Sequence, residues 1–391
     1  MPWKETCAMD QRVQFIGDWL SDEYTKSALC AWYGISRPTG DKWIKRYEAL
    51  GVVGLEERSR APRHHPNATP EALCTMIIEV KLAHPGWGPK KVLDYLRAHQ
   101  PRRPWPADST GGEILRRAGL VVARRRKHRV APDSVPFRAC GAANDTWSID
   151  FKGDFRLGNT QRCYPLTVSD NFSRYLLQCR ALSATRYSAV QPWLQWTFRE
   201  YGLPRAIRTD NGAPFASRAL GGLSQLSKWW VRLGIKPERI RPGQPSQNGR
   251  HERMHRTLKA DGVHPIRASL SAQQRQFNTF VSDYNWERSH EALGRATPGS
   301  VYCASPRAYP TKLPMIEYDT TVTVRRVRHN GEIKWRGEYI YLSEVLAQEP
   351  VGLTPIDEEH WEVRFSFHRL GILNQRTKQI LMPKQWHHIS D

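Results

Sequence analysis

The sequence has 391 residues, 39% of them hydrophobic, which is enough for about two to four domains with their own cores. Its 59 Lys and Arg against 38 Asp and Glu give a formal net charge of +21, which indicates a polyanionic partner. No apolar run approaches the roughly 20 residues of a membrane span, and Met1–Asp10 lacks the apolar core of a signal peptide. We therefore expect a cytoplasmic protein without a membrane partner.

The positive charge is concentrated in the first two thirds of the chain. Residues 1–144 hold 24 basic and 15 acidic residues, residues 145–300 hold 23 and 12, and residues 301–391 hold 12 and 11. Contacts with the polyanion are therefore expected mainly before residue 300. The cysteines include no C-x-x-C pair, which indicates reduced thiols of a cytosolic protein and neither a disulfide framework nor a zinc site. They are Cys7, Cys30, Cys74, Cys140, Cys163, Cys179 and Cys303.

Residues 1–57 show three helical patterns. Apolar residues recur at helical spacing in Val13–Leu20 and Ala28–Trp32, and a third helix is predicted over Arg37–Leu50 after the turn at Gly34-Ile35-Ser36. This pattern is typical of a helix-turn-helix domain, whose second helix lies in the major groove of DNA. The alternative is an ordinary three-helix bundle with a basic surface. The basic residues expected to contact DNA are Arg37, Lys42, Lys45 and Arg46.

Residues 58–70, rich in Arg and Pro, predict an extended linker that follows a phosphate backbone or a minor groove. Residues 71–131 then predict a second helical unit, with helices from Glu71 to about Ala83, over Pro89–His99 and over Asp108–Ala118. Asp108 or Ser109 is the expected cap of the last helix. A strand-like basic run follows, either as the phosphate-contacting wing of a winged helix-turn-helix or as a solvated linker. Its basic cluster is Arg124, Arg125, Arg126 and Lys127.

Residues 144–300 show strands and helices in the order of an α/β layer. Strands are predicted over Trp147–Asp150, Tyr164–Asp170 and Tyr175–Arg180, a helix over Ser183–Gly202, and a strand over Ala206–Thr209. That order predicts helices covering a mixed sheet.

Three acids stand at the ends of different predicted elements in this region. Asp150 closes a strand, and Asp210 lies where a strand ends in a glycine turn. Glu252 opens a helical pattern with Arg256 and Lys259, whose spacing of four and then three places all three side chains on one helical face.

Three carboxylates on rigid elements suit a two-metal site. Hard divalent cations take oxygen ligands, and two of them roughly 3.5–4 Å apart clamp the attacking and leaving oxygens of a phosphoryl displacement. Each acid alone has an ordinary interpretation, because Asp-Asn-Gly is mostly a turn and an exposed helical Glu is usually solvated. Asp154 and Asp170 lie in turns and are expected to be structural. His251 could position a phosphate or a water, and it is left outside the ligand set.

The sequence around these acids resembles the acid motifs of transposases and retroviral integrases with a ribonuclease-H-like core. The matching motifs are Trp147-Ser148-Ile149-Asp150, Thr209-Asp210-Asn211-Gly212-x-x-Phe215 and Pro242-x-x-Pro245-x-Gln247-Asn248-Gly249-x-x-Glu252. Tyr284-Asn285 with Arg288, His290, Ala292-Leu293 and Thr297-Pro298 resembles the segment that closes this core in many bacterial insertion-sequence transposases. One departure is the gap between Asp210 and Glu252, which holds 41 residues (252 − 210 − 1) and exceeds the family's commonest gap. We expect a short insertion in Leu220–Leu233.

The resemblance implies that Asp150, Asp210 and Glu252 bind two Mg²⁺ or Mn²⁺ ions per active site. It also implies strand cleavage followed by transfer of a 3′-hydroxyl end to target DNA, with Arg256 and Lys259 on phosphates of the element's own end. The expected partners are terminal inverted repeats, target DNA and further copies of the chain, in a nucleoid-associated oligomer. The sequence leaves open whether an accessory ATPase takes part.

Residues 315–391 differ in composition from the rest. Apolar residues alternate through Gly-punctuated runs, and later strands are predicted near Val351–Thr354, His360–Phe367 and Leu370–Leu373. We expect a small β barrel, and the segment resembles the SH3-like tail domain of integrases and related transposases.

The sequence as a whole predicts a multidomain DNA transposase. It would comprise two all-α helix-turn-helix domains, the second winged, then an α/β ribonuclease-H-like core with a mixed sheet, and an SH3-like β barrel. One alternative is a domesticated sequence-specific DNA-binding repressor that has lost catalysis, and the presence of all three acids argues against it. Another is a ribonuclease-H-type nuclease without strand transfer, and the two DNA-reading modules argue against that.

Overall fold

The computed structural model describes residues 7–58, 68–121, 140–217, 219–240 and 249–381. Its contacts divide the chain into two compact units, Met1–Ala68 and Thr69–Asp391. None of the helices in these ranges is long and apolar enough to cross a membrane.

The first unit is a three-helix domain. Helices α1 (Ala8–Leu20), α2 (Lys26–Trp32) and α3 (Arg37–Leu50) are followed by a 3₁₀ turn at Gly51–Leu55, which confirms the three predicted helices. Gly40 explains how closely α3 approaches α2, because a Cβ at this position would lie 2.5 Å from the Cys30 sulfur. The core is formed by Phe15, Ile16, Leu29, Cys30, Trp43, Ile44 and Leu55.

The second unit begins with another helical module. It comprises α4 (Glu71–Ala83), α5 (Pro89–His99) and α6 (Asp108–Arg117), close to the predicted bounds. The predicted cap is wrong: Ala107 is the N-cap of α6, and Asp108 is its first helical residue. The Asp108 carboxylate instead accepts hydrogen bonds from Arg97 and Arg295. The predicted wing, with Arg124, Arg125, Arg126 and Lys127, lies outside the described residues.

A mixed six-stranded sheet forms the centre of the second unit. Its strands are β1 (Thr146–Phe151), β2 (Phe155–Arg156), β3 (Arg162–Asp170), β4 (Leu176–Leu182), β5 (Ala206–Thr209) and β6 (Lys236–Arg239). Strand β3 pairs antiparallel with β1, β2 and β4, whereas β5 pairs parallel with both β1 and β6. The predicted mixed sheet is thus confirmed.

Helices cover both faces of this sheet. They are α7 (Tyr187–Tyr201), α8 (Gln225–Arg232), α9 (Gly249–Thr257), α10 (Leu270–Ser282) and the short α11 (Pro298–Val301), and α9 continues as a π-helical turn at Leu258–Val263. On one face Trp147, Ile149 and Val168 belong to the core formed with α7 and α8. Side chains alternate along a strand, so Asp150 and Thr167 point to the other face, towards α9.

The C-terminal residues form two antiparallel sheets. One has the order β13-β12-β11-β10-β7 and the other is the hairpin β8-β9. The strands are β7 (Thr323–Arg326), β8 (Glu332–Trp335), β9 (Glu338–Tyr341), β10 (Pro350–Pro355), β11 (His360–Phe365), β12 (His368–Asn374) and β13 (Gln379–Leu381). Both sheets share one apolar core, to which Leu220, Leu223 and Val231 of the preceding α/β region also contribute. The predicted late strands are confirmed.

Candidate active site

Asp150 near the end of β1 and Asp210 directly after β5 stand at the same level of two neighbouring parallel strands. Ser148 of β1 lies opposite Arg208 of β5, and each acid follows two residues later. Adjacent strands lie about 4.7–4.9 Å apart, so the two carboxylates share one edge of the sheet. The Phe151 N–H donates to Asp150 at 2.7 Å, and the Gly212 N–H donates to Asp210 at 3.0 Å. Each local bond fixes the direction of a carboxylate.

Glu252 lies in the first turn of α9, close enough to Asp150 for its charge to act on that carboxyl. Its side chain is exposed, and the residues just before the helix, 241–248, lie outside the described ranges. The charges of Asp210 and Glu252 both act on Asp150. Asp210 and Glu252 are therefore both close enough to Asp150 to raise its pKa.

Burial is the main cause of an unusual ionisation at Asp150. It raises the pKa of Asp150 to about 7, with a further contribution from Asp210, against the opposing effects of the Phe151 N–H and Lys152. Within the described part of the chain, no Lys or Arg forms an ion pair with Asp150, Asp210 or Glu252. Crowded carboxylates without a basic partner offer the oxygen ligands that a hard divalent cation prefers.

A hydrogen-bond network behind Asp150 holds α9 on the sheet. The Thr167 hydroxyl donates to the Asp150 carbonyl at 3.0 Å, so it accepts from the Nε2 atoms of His251 and His255 at 2.8 and 2.7 Å. The Nδ1 atom of His251 forms a hydrogen bond with the Ser169 hydroxyl at 2.8 Å. The two histidines dock the helix that carries Glu252 against β3.

His251, which the sequence analysis left outside the ligand set, is buried in the structure. Its side chain is 1% exposed, and both of its ring nitrogens are used within the protein. The ligand atoms of Asp150, His251 and His255 do lie within 4.8 Å of one another, but a metal ion bound by His251 would have to displace its hydrogen bond to Thr167 or to Ser169. Burial lowers the pKa of both histidines, that of His255 to about 3, so neither adds a positive charge beside the acids.

The two rival acids make other contacts. Asp170 is buried and accepts hydrogen bonds from the Asn144 N–H at 2.9 Å and from the Ser173 N–H at 2.7 Å, which ties the turn before β4 to the start of β1. Asp154 forms an ion pair with Arg162 at 2.9 Å on the β2–β3 hairpin. Both acids therefore have structural partners.

Arg256 and Lys259 are exposed and follow Glu252 along the chain. Arg256 lies one helical turn after Glu252 on α9, whereas Lys259 lies on the π-helical turn that extends the helix. Among the described residues neither cation forms an ion pair. Both can therefore meet a phosphate.

The basic residues predicted to contact DNA on α3 differ in their exposure to solvent. Arg37, Lys42 and Lys45 are exposed, but Arg46 is half-buried, with its guanidinium 4.9 Å from the centre of the Trp43 ring. Arg46 therefore packs against the domain core as well as carrying charge.

Sequence reasoning did not find the support of the site. Thr167, Lys152 and His255 are not among the residues that the sequence predicts for the site. The available signal was the spacing of His251 and His255, which places both on one helical face and indicates a shared packing partner.

Four family models match parts of this chain. Residues 141–245 and 233–298 match two models described as an integrase core domain, and together these ranges contain all three acids. Residues 11–63 match a helix-turn-helix domain, and residues 39–115 match a homeodomain-like domain.

Two curated proteins of insertion elements are similar over most of their length. The uncharacterized 39.2 kDa protein of insertion element IS476 from Xanthomonas euvesicatoria is 31% identical over 259 residues, covering 65% of this chain and 71% of the relative. The uncharacterized 31.7 kDa protein of insertion element IS407 from Burkholderia multivorans is 30% identical over 273 residues, which cover 68% of this chain and 92% of the relative.

Among solved structures, a chain of the simian T-cell lymphotropic virus intasome, in complex with PP2A regulatory subunit B56 gamma, aligns with 78% of this chain and 99% of its own length. The identity is 15% and the TM-score 0.37, so this likeness carries no argument about function.

Proposed function

Because the chain belongs to the family of bacterial insertion-element transposases with an integrase-like core, we propose that it is a DNA transposase that cleaves the ends of its element and joins them to target DNA. The observation that supports the proposal is the placement of Asp150 and Asp210 at the ends of two paired parallel strands, with Glu252 close enough for its charge to act on Asp150.

The donor set fits divalent metal ions. Three carboxylates supply hard oxygen ligands, and a bound cation would favour the ionised form of Asp150, whose pKa burial raises. We assign Asp150, Asp210 and Glu252 as ligands of two Mg²⁺ or Mn²⁺ ions. When bound, such a pair supplies Lewis-acid activation of the attacking and leaving oxygens.

The surrounding residues orient the reacting groups. Arg256 and Lys259 hold phosphates of the element's end, so that the scissile phosphodiester lies over the sheet edge. Thr167, His251 and His255 keep α9 in place and hence Glu252 in register with Asp150. Water cleaves the strand first, and the freed 3′-hydroxyl then attacks target DNA in the same site.

Recognition and assembly belong to the other domains. The exposed residues Arg37, Lys42 and Lys45 of α3 read or grip the terminal inverted repeats, together with Arg46 and the basic run Arg124–Lys127. The C-terminal sheets form an SH3-like barrel that contributes to contacts within a homo-oligomer. Two copies would bring the two ends of one element together.

The proposal is tested with the genomic DNA that flanks the reading frame. Full-length protein is incubated with a labelled duplex of that DNA, a supercoiled target plasmid and Mg²⁺. We expect nicking at the element's end and joined products in the plasmid. Binding without any nicking would support the repressor instead, and nicking without joined products would support a nuclease.

A further inference from the structure

A cavity of about 650 Å³ lies on the other side of α9 from Glu252. It is enclosed by the start of α5, by α9 and by residues 288–295, all within the second unit. Seven Lys or Arg side chains and only two acids line it. The walls therefore carry a large excess of positive charge.

The two acids are already paired. Asp94 accepts from Arg295, and Glu291 forms an ion pair with Lys90 at 2.9 Å. Arg288, another lining cation, pairs with Asp261 at 3.2 Å. Four lining cations remain without an acidic partner among the described residues: Lys91, Arg174, Arg250 and Arg253.

Protein carbonyls hold three of these four cations in place. Arg250 donates to the Asn171 carbonyl at 3.0 Å, and Arg174 donates to the same oxygen. Lys91 donates to the Ser289 carbonyl. Neutral carbonyls fix the positions of the cations without neutralising them, so the like charges converge on an open cavity.

The cations influence one another and their neighbours. Burial lowers the pKa of Arg174, and the charge of Arg250 lowers it further. Burial lowers the pKa of His290 to about 3, and Lys91, Arg288, Arg174 and Arg253 add to the effect. Such mutual repulsion is relieved by a bound anion.

The cavity lies within reach of DNA held at the acids. Glu252 and Arg256 occupy one face of α9, and Arg250, Arg253 and Thr257 line the cavity from the opposite side. A helix with its side chains is about 10–12 Å across, which corresponds to roughly three or four nucleotides at 3.4 Å each. One DNA molecule can span both places.

We propose that this cavity is a second DNA-backbone site, which binds phosphate groups of the duplex that extends beyond the metal-binding acids. The inference rests on the proposed function, since it takes DNA as the substrate. The site would bind DNA without taking part in the chemistry. It is formed jointly by the second helical module and the α/β core.

The test is a salt titration of DNA binding with matched arginine variants. Full-length wild type, Arg250→Ala, Arg253→Ala and Arg253→Lys are titrated with a fluorescent duplex of the flanking DNA in EDTA over a series of KCl concentrations. Arg275→Ala serves as the control, because Arg275 is exposed on α10 and does not line the cavity. Each alanine variant should lower the slope of log K against log salt by about 0.9, and Arg253→Lys should keep the wild-type slope.

Three results would separate the possible failures. Wild-type slopes in both alanine variants, with unchanged thermal unfolding, would overturn the second site. If inorganic phosphate stabilised wild type but not Arg253→Ala while the DNA slopes stayed equal, the cavity would be a small-anion site and the DNA assignment would fail. If the slopes changed as expected but wild type never cut DNA with Mg²⁺, the cavity would stand and the transposase proposal would fall.

Discussion

Thr167 lies directly opposite Asp150 on the neighbouring antiparallel strand, and its hydroxyl donates to the Asp150 carbonyl at 3.0 Å. The same oxygen accepts from His251 and His255 of α9. A single side chain therefore links two of the proposed metal-binding elements, the strand that carries Asp150 and the helix that carries Glu252.

Thr167→Val should loosen this link while keeping the shape of the side chain. Two buried imidazole N–H groups lose their acceptor, at a cost of about 1–3 kcal/mol each. We expect a lower free energy of unfolding in urea and a larger loss of DNA cleavage than of DNA binding. Thr279→Val, at an exposed position on α10, should change stability by less than about 0.5 kcal/mol. Equal stability of the two variants would contradict the network.

Asp150→Asn, Asp210→Asn and Glu252→Gln should each abolish cleavage and strand transfer. The amides keep the shape but lose the charge that holds a divalent cation, and DNA recognition lies elsewhere, so binding should stay within a few-fold of wild type. Labelled end DNA with Mg²⁺ gives both readouts. Asp154→Asn is the control, since Asp154 pairs with Arg162 and should cut normally. Normal cleavage by any of the three variants would remove that residue from the site.

Asp150 should also make the stability of the metal-free protein depend on pH. Its folded-state pKa of about 7 lies above the ordinary 3.8, so its contribution to stability is complete below pH 3.8 and is lost as the pH rises through about 7. Asp150→Asn should therefore unfold at a higher temperature than wild type in EDTA, with an upper bound of about 4 kcal/mol above pH 7. The difference should shrink as the pH is lowered. A difference that is independent of pH would point to a cause other than ionisation.

Arg256→Ala and Lys259→Ala should weaken binding to the element's end. Each loses about one phosphate contact, which lowers the salt slope by about 0.9, and neither should prevent metal binding because the carboxylates remain. Anisotropy titrations measure the slope, and Mg²⁺-induced thermal stabilisation measures the metal. An unchanged slope would mean that these side chains face only solvent.

Arg37→Ala should relax sequence choice at one or two base pairs. The residue is exposed at the first position of α3, where a recognition helix meets base edges, and a lost base contact costs about 1–3 kcal/mol. Competition between the terminal repeat and variants with single base-pair changes reveals the loss. Lys26→Ala is a suitable control, because Lys26 pairs with Asp41 at 3.5 Å. An equal loss of binding affinity for all the competitor DNAs would mean that Arg37 contacts a phosphate and not a base.

The main helices and strands were predictable because they depend on local patterns, and the three candidate acids stand at the ends of those elements in the sequence. The alternation of apolar residues predicted β1 and β5, and apolar residues at helical spacing predicted α3 and α7. Glycine turns indicated where strands end. The support behind Asp150 was only partly predictable, because the spacing of His251 and His255 indicates a shared packing partner but does not identify that partner as Thr167 of β3. The cationic cavity joins residues as far apart as Lys91 and Arg288, which only the tertiary fold brings together.

Leu220, Leu223 and Val231 complete the core of the C-terminal sheets, although they lie between the second and third acids. Recombination at the boundary between the α/β region and the C-terminal sheets would therefore divide a shared hydrophobic core. A chimera that takes its C-terminal domain from a relative would need the matching Leu220–Leu233 segment as well, or it would leave apolar surface uncovered on both halves. Exchange of tails among such enzymes is thus constrained by a stretch of sequence inside the catalytic region.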